Sequence, residues 1–114
     1  MTYERKAAQI LRKLGVNNSY IGFSYIAYGV TLNIHNPDLI TYISKGLYVE
    51  IATKYHTTTG CVERDMRTVI HKIWNRGDRN LLNSIFGYEL TQKPRNGEFI
   101  DAVSHYISNQ YEKL

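Results

Sequence analysis

The chain has one cysteine, two prolines and no long uninterrupted apolar stretch. A single cysteine excludes an intramolecular disulfide and a zinc site built on cysteine pairs. A membrane-spanning helix needs about 20 predominantly apolar residues, so such a helix is excluded as well. The N-terminus carries charges at Glu4, Arg5 and Lys6, where a signal peptide has its apolar region. We therefore expect a cytoplasmic protein that does not contact the membrane.

Little in the sequence is typical of an enzyme. It contains no glycine-rich phosphate-binding loop and no recognisable pair of catalytic carboxylates. Its four histidines do not have the spacing of metal ligands. A nucleophilic Cys61 would need a base and an orienting group, and the sequence marks neither. We therefore expect no catalysis, no bound metal and no cofactor.

Apolar residues recur at helical spacing along almost the whole chain, and strict alternation is nearly absent. The length of 114 residues, with 43% hydrophobic and 21% charged residues, is typical of one globular domain. These observations predict a single all-α domain over residues 1–114, folded as a compact bundle of about six helices.

Polar residues, prolines and glycines divide this pattern into separate helices. Thr2 and Gly15 are typical of the beginning and end of a first helix. Pro37 predicts the start of a helix that continues to Leu47, and Asn96 is expected to cap the last helix. The second helix is expected to bury one stripe, made of Ile21, Tyr25, Tyr28 and Leu32.

Residues 48–76 have the pattern of a helix-turn-helix, with a short helix to about residue 55, a polar turn and a long helix at about 59–76. At 100° per residue, the long helix has an apolar face of Val62, Met66, Val69, Ile70 and Ile73. The opposite side, called the basic face here, consists of Gly60, Arg64, Arg67 and His71. Trp74 lies beside the apolar face and is expected to be largely buried.

This two-sided helix has the properties of a recognition helix in the major groove of DNA. Arginine can donate two hydrogen bonds to guanine, and Glu63 can accept one from cytosine. The hydroxyls of Thr57 and Thr58 suit phosphate oxygens. The basic excess is also greatest here, since residues 51–80 contain six Lys and Arg against three Asp and Glu. The alternative is that Arg64 and Arg67 belong to an ordinary solvated surface.

At these residues the sequence resembles the C-terminal DNA-binding effector domain of the stage-zero response regulator that controls sporulation in endospore-forming bacteria. The resemblance covers about residues 10–110. It is carried by LYVEIATKYHTT at 47–58, VER at 62–64, Arg67, WNRG at 74–77, FGY at 86–88 and KPRNGEFI at 93–100. So many uncommon short segments in the same order make the match specific.

The resemblance implies a six-helix fold and a recognition helix that reads an operator close to TGTCGAA. It also implies tandem binding of two copies on DNA and contact with the RNA polymerase sigma subunit. By position, Glu63 and Arg64 match residues that contact bases, and Arg67 matches a further DNA contact. Cys61 departs from the family, which has a base-reading arginine there, and Gly60 replaces a small polar residue.

Two functions remain open from the sequence. The first is a sequence-specific transcription regulator that binds double-stranded DNA. The second is a protein-interaction module that mimics the effector domain and binds the host regulator or RNA polymerase without DNA. Because the chain starts at Met1 and has no room for a receiver domain, we expect activity without phosphorelay input.

Overall fold

The computed structural model describes residues 2–112, with side chains described as far as Gln110. This part of the chain contains six α-helices, one 3-10 helix and no strand, which confirms the expected fold class. None of its helices is both long enough and apolar enough to cross a membrane. The α-helices are α1 (Tyr3–Leu14), α2 (Ile21–His35), α3 (Leu47–Tyr55), α4 (Thr59–Arg76), α5 (Arg79–Phe86) and α6 (Asn96–Glu112).

The central helix is α2, which contacts α1, α3, α4 and α6. Gly22 lets α2 approach α4 closely, because a Cβ there would collide with the carbonyl oxygen of Asp65. The predicted stripe on this helix is confirmed only in part: Tyr25 is buried, and Tyr28 and Leu32 are partly buried against the core, but Ile21 is 65% exposed. A helix surrounded by four others buries most of its circumference rather than one stripe. Its buried residues include Phe23, Tyr25, Ile26, Ala27, Val30 and Asn33.

The helix predicted from Pro37 to Leu47 is also wrong. A 3-10 helix covers Pro37–Ile40, and turns follow it before α3 begins. Gly46 lies so close to Leu39 that a Cβ on it would contact the Leu39 carbonyl oxygen at 2.6 Å. Residues seven apart in a continuous helix are separated by about 10 Å along the axis, so the chain must fold back here.

Most predicted helix ends are confirmed. The hydroxyl of Thr2 accepts the Arg5 N–H at 3.1 Å, and Gly15 has a left-handed φ of 109°. The expected capping role of Asn96 is wrong, because Asn96 is the first residue of α6 and its side chain is directed to other helices. Glu98 instead accepts the Arg95 N–H at 2.9 Å, which is one half of a capping box.

Candidate nucleic-acid interface

The turn between α3 and α4 has a fixed local geometry. His56 adopts a left-handed φ of 54°, and the N–H of Thr57 bonds the carbonyl of Ala52 at 3.0 Å. Thr58 has extended backbone, and its hydroxyl accepts the N–H of Cys61 at 3.1 Å. Thr58 is therefore the N-cap of α4, and the turn orients the first residues of that helix.

Helix α4 is divided into two faces, as the sequence predicts. The apolar face packs into the core, with every side chain at most 1% exposed: Val62, Met66, Val69, Ile70 and Ile73. The residues of the basic face, Gly60, Arg64, Arg67 and His71, are all exposed. Burial therefore fixes α4 on the domain while its cations remain available to a partner.

Glu63, Arg64 and Arg67 form local contacts on the exposed side. Arg67 Nη1 lies 2.9 Å from Glu63 Oε1, an ion pair one turn apart with both side chains about half exposed. Arg64 Nε lies 3.4 Å from Asp65 Oδ1, and the Arg64 side chain is 63% exposed. Exposed pairs of this kind stabilise a fold by about 1 kcal/mol or less. These two ion pairs orient the arginine side chains, and either pair can be replaced by a contact with an external partner at little cost.

Cys61 and the threonines of the turn lie together. The Cys61 side chain is partly exposed. Hydrogen bonds from the hydroxyls of Thr58 and Thr57, together with the charge of Arg64, lower the pKa of the Cys61 thiol. A Cβ on Gly60 would meet only Thr58 Oγ1, at 4.0 Å, so packing does not require glycine at this position. Gly60 and Cys61 thus form a small, open surface at the beginning of α4.

His71 lies eleven residues after Gly60, or about 16 Å farther along the helix axis. Its Nε2 is 2.9 Å from the side-chain nitrogen of Asn75, another exposed residue of α4. His71 therefore marks the far end of the basic face, well separated from Cys61.

Trp74 is expected from the sequence to be largely buried, but it is only partly buried. The Arg79 guanidinium lies 3.4 Å from its ring centroid, and Arg79 also donates to the Trp74 carbonyl. The ring therefore packs partly against the core and is also covered by the Arg79 cation.

Sequence reasoning did not place three residues beside α4: Lys93, Arg95 and Asn96. Asn96 donates from its amide to the Tyr48 hydroxyl and to the Glu63 carbonyl, each at 3.0 Å. Lys93 and Arg95 precede it and line a cleft of about 450 Å³ between α4 and the start of α6. Their only sequence signal is the KPRNGEFI segment, which carries the resemblance but no recognisable motif. Their position beside α4 depends on tertiary packing.

No group of three or more His, Cys, Asp and Glu residues in the described part of the chain has the geometry of a metal site.

Comparison with known families gives a match to the family described as "Sporulation initiation factor Spo0A C terminal", over residues 7–107. The match covers nearly the whole chain, including α4 and the segment before α6. The chain therefore belongs to the Spo0A C-terminal family, a family of DNA-binding effector domains.

Proposed function

We propose that the protein is a sequence-specific transcription regulator whose α4 lies in the major groove of double-stranded DNA. The main observation that supports this proposal is the division of α4 into an apolar face that packs into the core and an exposed basic face. A helix about 10–12 Å across fits a major groove about 12 Å wide. The capped turn at Thr58 gives the first turn of α4 a fixed direction.

Each site residue has a role in this proposal. Arg64 and Arg67 donate to guanine O6 and N7, and Glu63 accepts from cytosine N4. Thr57 and Thr58 donate their hydroxyl protons to backbone phosphates. The Thr58 oxygen accepts the Cys61 N–H, which holds this hydroxyl at the beginning of α4, on the side that carries Cys61.

The remaining site residues, Gly60, Cys61 and His71, affect which operator is bound and how closely α4 approaches it. Gly60 and Cys61 allow close approach to the bases, and His71 lies beside the phosphates at the other end of the helix. Cys61 stands where the family has a base-reading arginine, so we expect an operator related to TGTCGAA but altered at the corresponding base pair. We further propose tandem binding of two copies and contact with the RNA polymerase sigma subunit.

A protein-interaction module that does not need DNA is the second candidate. The observation that favours it is the Gly60-Cys61 pair, which removes one expected base contact from the beginning of α4. A surface with the same shape but fewer base contacts would still bind proteins that recognise the family's fold.

Selection from a random duplex library, at one stated salt concentration, separates these functions. The regulator is expected to enrich one motif, and Arg64→Ala is expected to lose enrichment at a single base pair. Lys13→Ala is the matched control, because Lys13 is an exposed cation on α1. Recovery of no motif by the folded wild-type protein would overturn the regulator and favour the interaction module.

A further inference from the structure

The cleft between α4 and the start of α6, called the α4–α6 cleft here, has a volume of about 450 Å³. Its walls carry three cations, Arg67 from α4 and Lys93 and Arg95 from the segment before α6. Ile43, Tyr48, Ile70 and Pro94 also line it, together with two carboxylates, those of Glu63 and Glu98. The cleft therefore combines apolar residues with an excess of cations, and it shares Arg67 with the basic face.

The segment that carries Lys93 and Arg95 is held firmly against α4. Pro94, between them, is buried. Asn96, which follows, bonds both the Glu63 carbonyl and the Tyr48 hydroxyl at 3.0 Å. These contacts fix the main chain of the segment, so its two cations have a defined position relative to α4.

The carboxylates of the cleft already have partners. Glu63 pairs with Arg67, and Glu98 accepts the main-chain N–H of Arg95. Within residues 2–110, neither Lys93 nor Arg95 forms an ion pair. The lining thus holds three cations (Arg67, Lys93 and Arg95) against two carboxylates (Glu63 and Glu98), a net charge of +1. The two cations that are not ion-paired, Lys93 and Arg95, favour an anionic partner.

The position of the cleft identifies this anion. Glu63 and Arg67 lie on one edge of the exposed side of α4, and both line the cleft. When a helix occupies the major groove, the phosphate backbones border the helix on either side. We propose that Lys93 and Arg95 bind phosphates of the DNA strand that borders the groove at this edge of α4.

This inference rests on the proposed function and adds a second contact element to it. Base contacts come from α4, whereas the segment before α6 supplies contacts that do not depend on sequence. Asn96 acts as a positioning residue that fixes the spacing between the two elements. The partner of the cleft is therefore the DNA backbone.

The test compares Lys93→Ala, Arg95→Ala and the double variant with wild type. Affinity is measured for the selected duplex and for a scrambled duplex at several salt concentrations. Each single variant is expected to lower the affinity for both duplexes by the same factor. The slope of log affinity against log salt is expected to fall by about 0.9 for each lost phosphate contact.

Lys13→Ala is the matched control, and it is expected to keep the wild-type slope. Lys93→Arg is expected to retain binding, since arginine also binds phosphate. Thermal unfolding of each variant checks that the fold is intact. Unchanged slopes in both alanine variants would overturn the inference, and so would a loss confined to the selected duplex. Failure of the wild-type protein to bind any duplex would instead overturn the proposed function.

Discussion

The side-chain amide of Asn96 donates a hydrogen bond to the main-chain carbonyl of Glu63 over 3.0 Å. The same nitrogen donates to the hydroxyl of Tyr48, also at 3.0 Å. One amide therefore joins α3, α4 and α6, and it does so at the turn of α4 that carries Glu63 and Arg67. The bridge connects the packing of the domain to the position of the exposed cations.

Replacing Asn96 with alanine removes both bonds. We expect Asn96→Ala to lower the free energy of unfolding by about 1–3 kcal/mol, since each hydrogen bond contributes about 0.5–1.5 kcal/mol. Urea denaturation measures the change. The control is Asn109→Ala, an exposed asparagine of the same helix, which is expected to have little effect. Equal stability of the two variants would show that the bridge does not stabilise the fold.

Tyr48 gives the bridge a pH dependence. Burial raises the pKa of the Tyr48 hydroxyl above its ordinary value of 10.0, and this outweighs the lowering by the Asn96 hydrogen bond. The charge of Glu63 adds a smaller rise, and that of Arg67 a smaller lowering. The folded chain thus holds this proton more tightly than the unfolded chain. Its contribution to stability is complete below the unfolded pKa and is lost as the pH rises through the folded pKa.

Tyr48→Phe removes this titration while retaining the buried ring. We expect the free energy of unfolding to fall less steeply above about pH 10 in Tyr48→Phe than in the wild type. Tyr42→Phe is the control, because Tyr42 is 75% exposed. Denaturant unfolding at pH 8 and at a pH above 10 gives the free energy of unfolding at each pH, and the difference between the two values is compared among the variants. Parallel profiles for Tyr48→Phe and wild type would contradict this prediction.

The cap at Thr58 is expected to stabilise α4. Thr58→Ala leaves the Cys61 N–H without its side-chain acceptor and is expected to cost about 0.5–2 kcal/mol of stability. It also removes the largest cause of the lowered pKa of the Cys61 thiol, so alkylation of Cys61 should require a higher pH. Thr59→Ala, one residue into the helix, is the control. A shift of the alkylation profile by Thr59→Ala but not by Thr58→Ala would contradict the assignment.

Arg67 and Arg64 should affect binding far more than folding. Both lie on the exposed side, and their ion pairs are surface contacts. We expect each alanine variant to change the free energy of unfolding by less than about 1 kcal/mol. Arg64→Ala is expected to weaken specific DNA binding by about 1–3 kcal/mol. Unchanged affinity of both variants at moderate salt would contradict the assignment of α4 as the recognition helix.

The helices with strong local signals could be predicted from the sequence. Helix α4 is one of them, because its apolar residues recur at helical spacing between Thr58 and Gly77. The site residues on α4 follow from that periodicity, since the positions opposite a buried face are exposed. The ends of α1 and α5 follow from glycines in left-handed conformation at Gly15 and Gly87.

The errors have one physical origin, which is tertiary packing. The apolar residues after Pro37 have helical spacing, yet the chain folds back between Leu39 and Gly46. Asparagine is a common N-cap residue, yet the Asn96 amide instead donates to the Tyr48 hydroxyl of α3 and the Glu63 carbonyl of α4. Neither contact is visible in local sequence, because the partners are distant along the chain.

Cys61 provides the sharpest test of the recognition helix. It lies in the first turn of α4, partly exposed, with its N–H held by the Thr58 hydroxyl. A thiol is a weak donor and too short to reach guanine as an arginine does. If α4 docks as the family resemblance implies, Cys61→Arg supplies a bidentate contact at the base pair where the wild type has none.

We expect Cys61→Arg to raise affinity for a TGTCGAA-type duplex by about tenfold or more, because one bidentate contact discriminates strongly between bases. Affinity for a scrambled duplex should rise only by the contribution of one added charge. Cys61→Lys is the matched control, since lysine adds the same charge without the planar fork of arginine. Both variants are compared with wild type on both duplexes at equal salt. Equal gains for Cys61→Arg and Cys61→Lys, or equal gains on both duplexes, would mean that the side chain at position 61 does not face the bases.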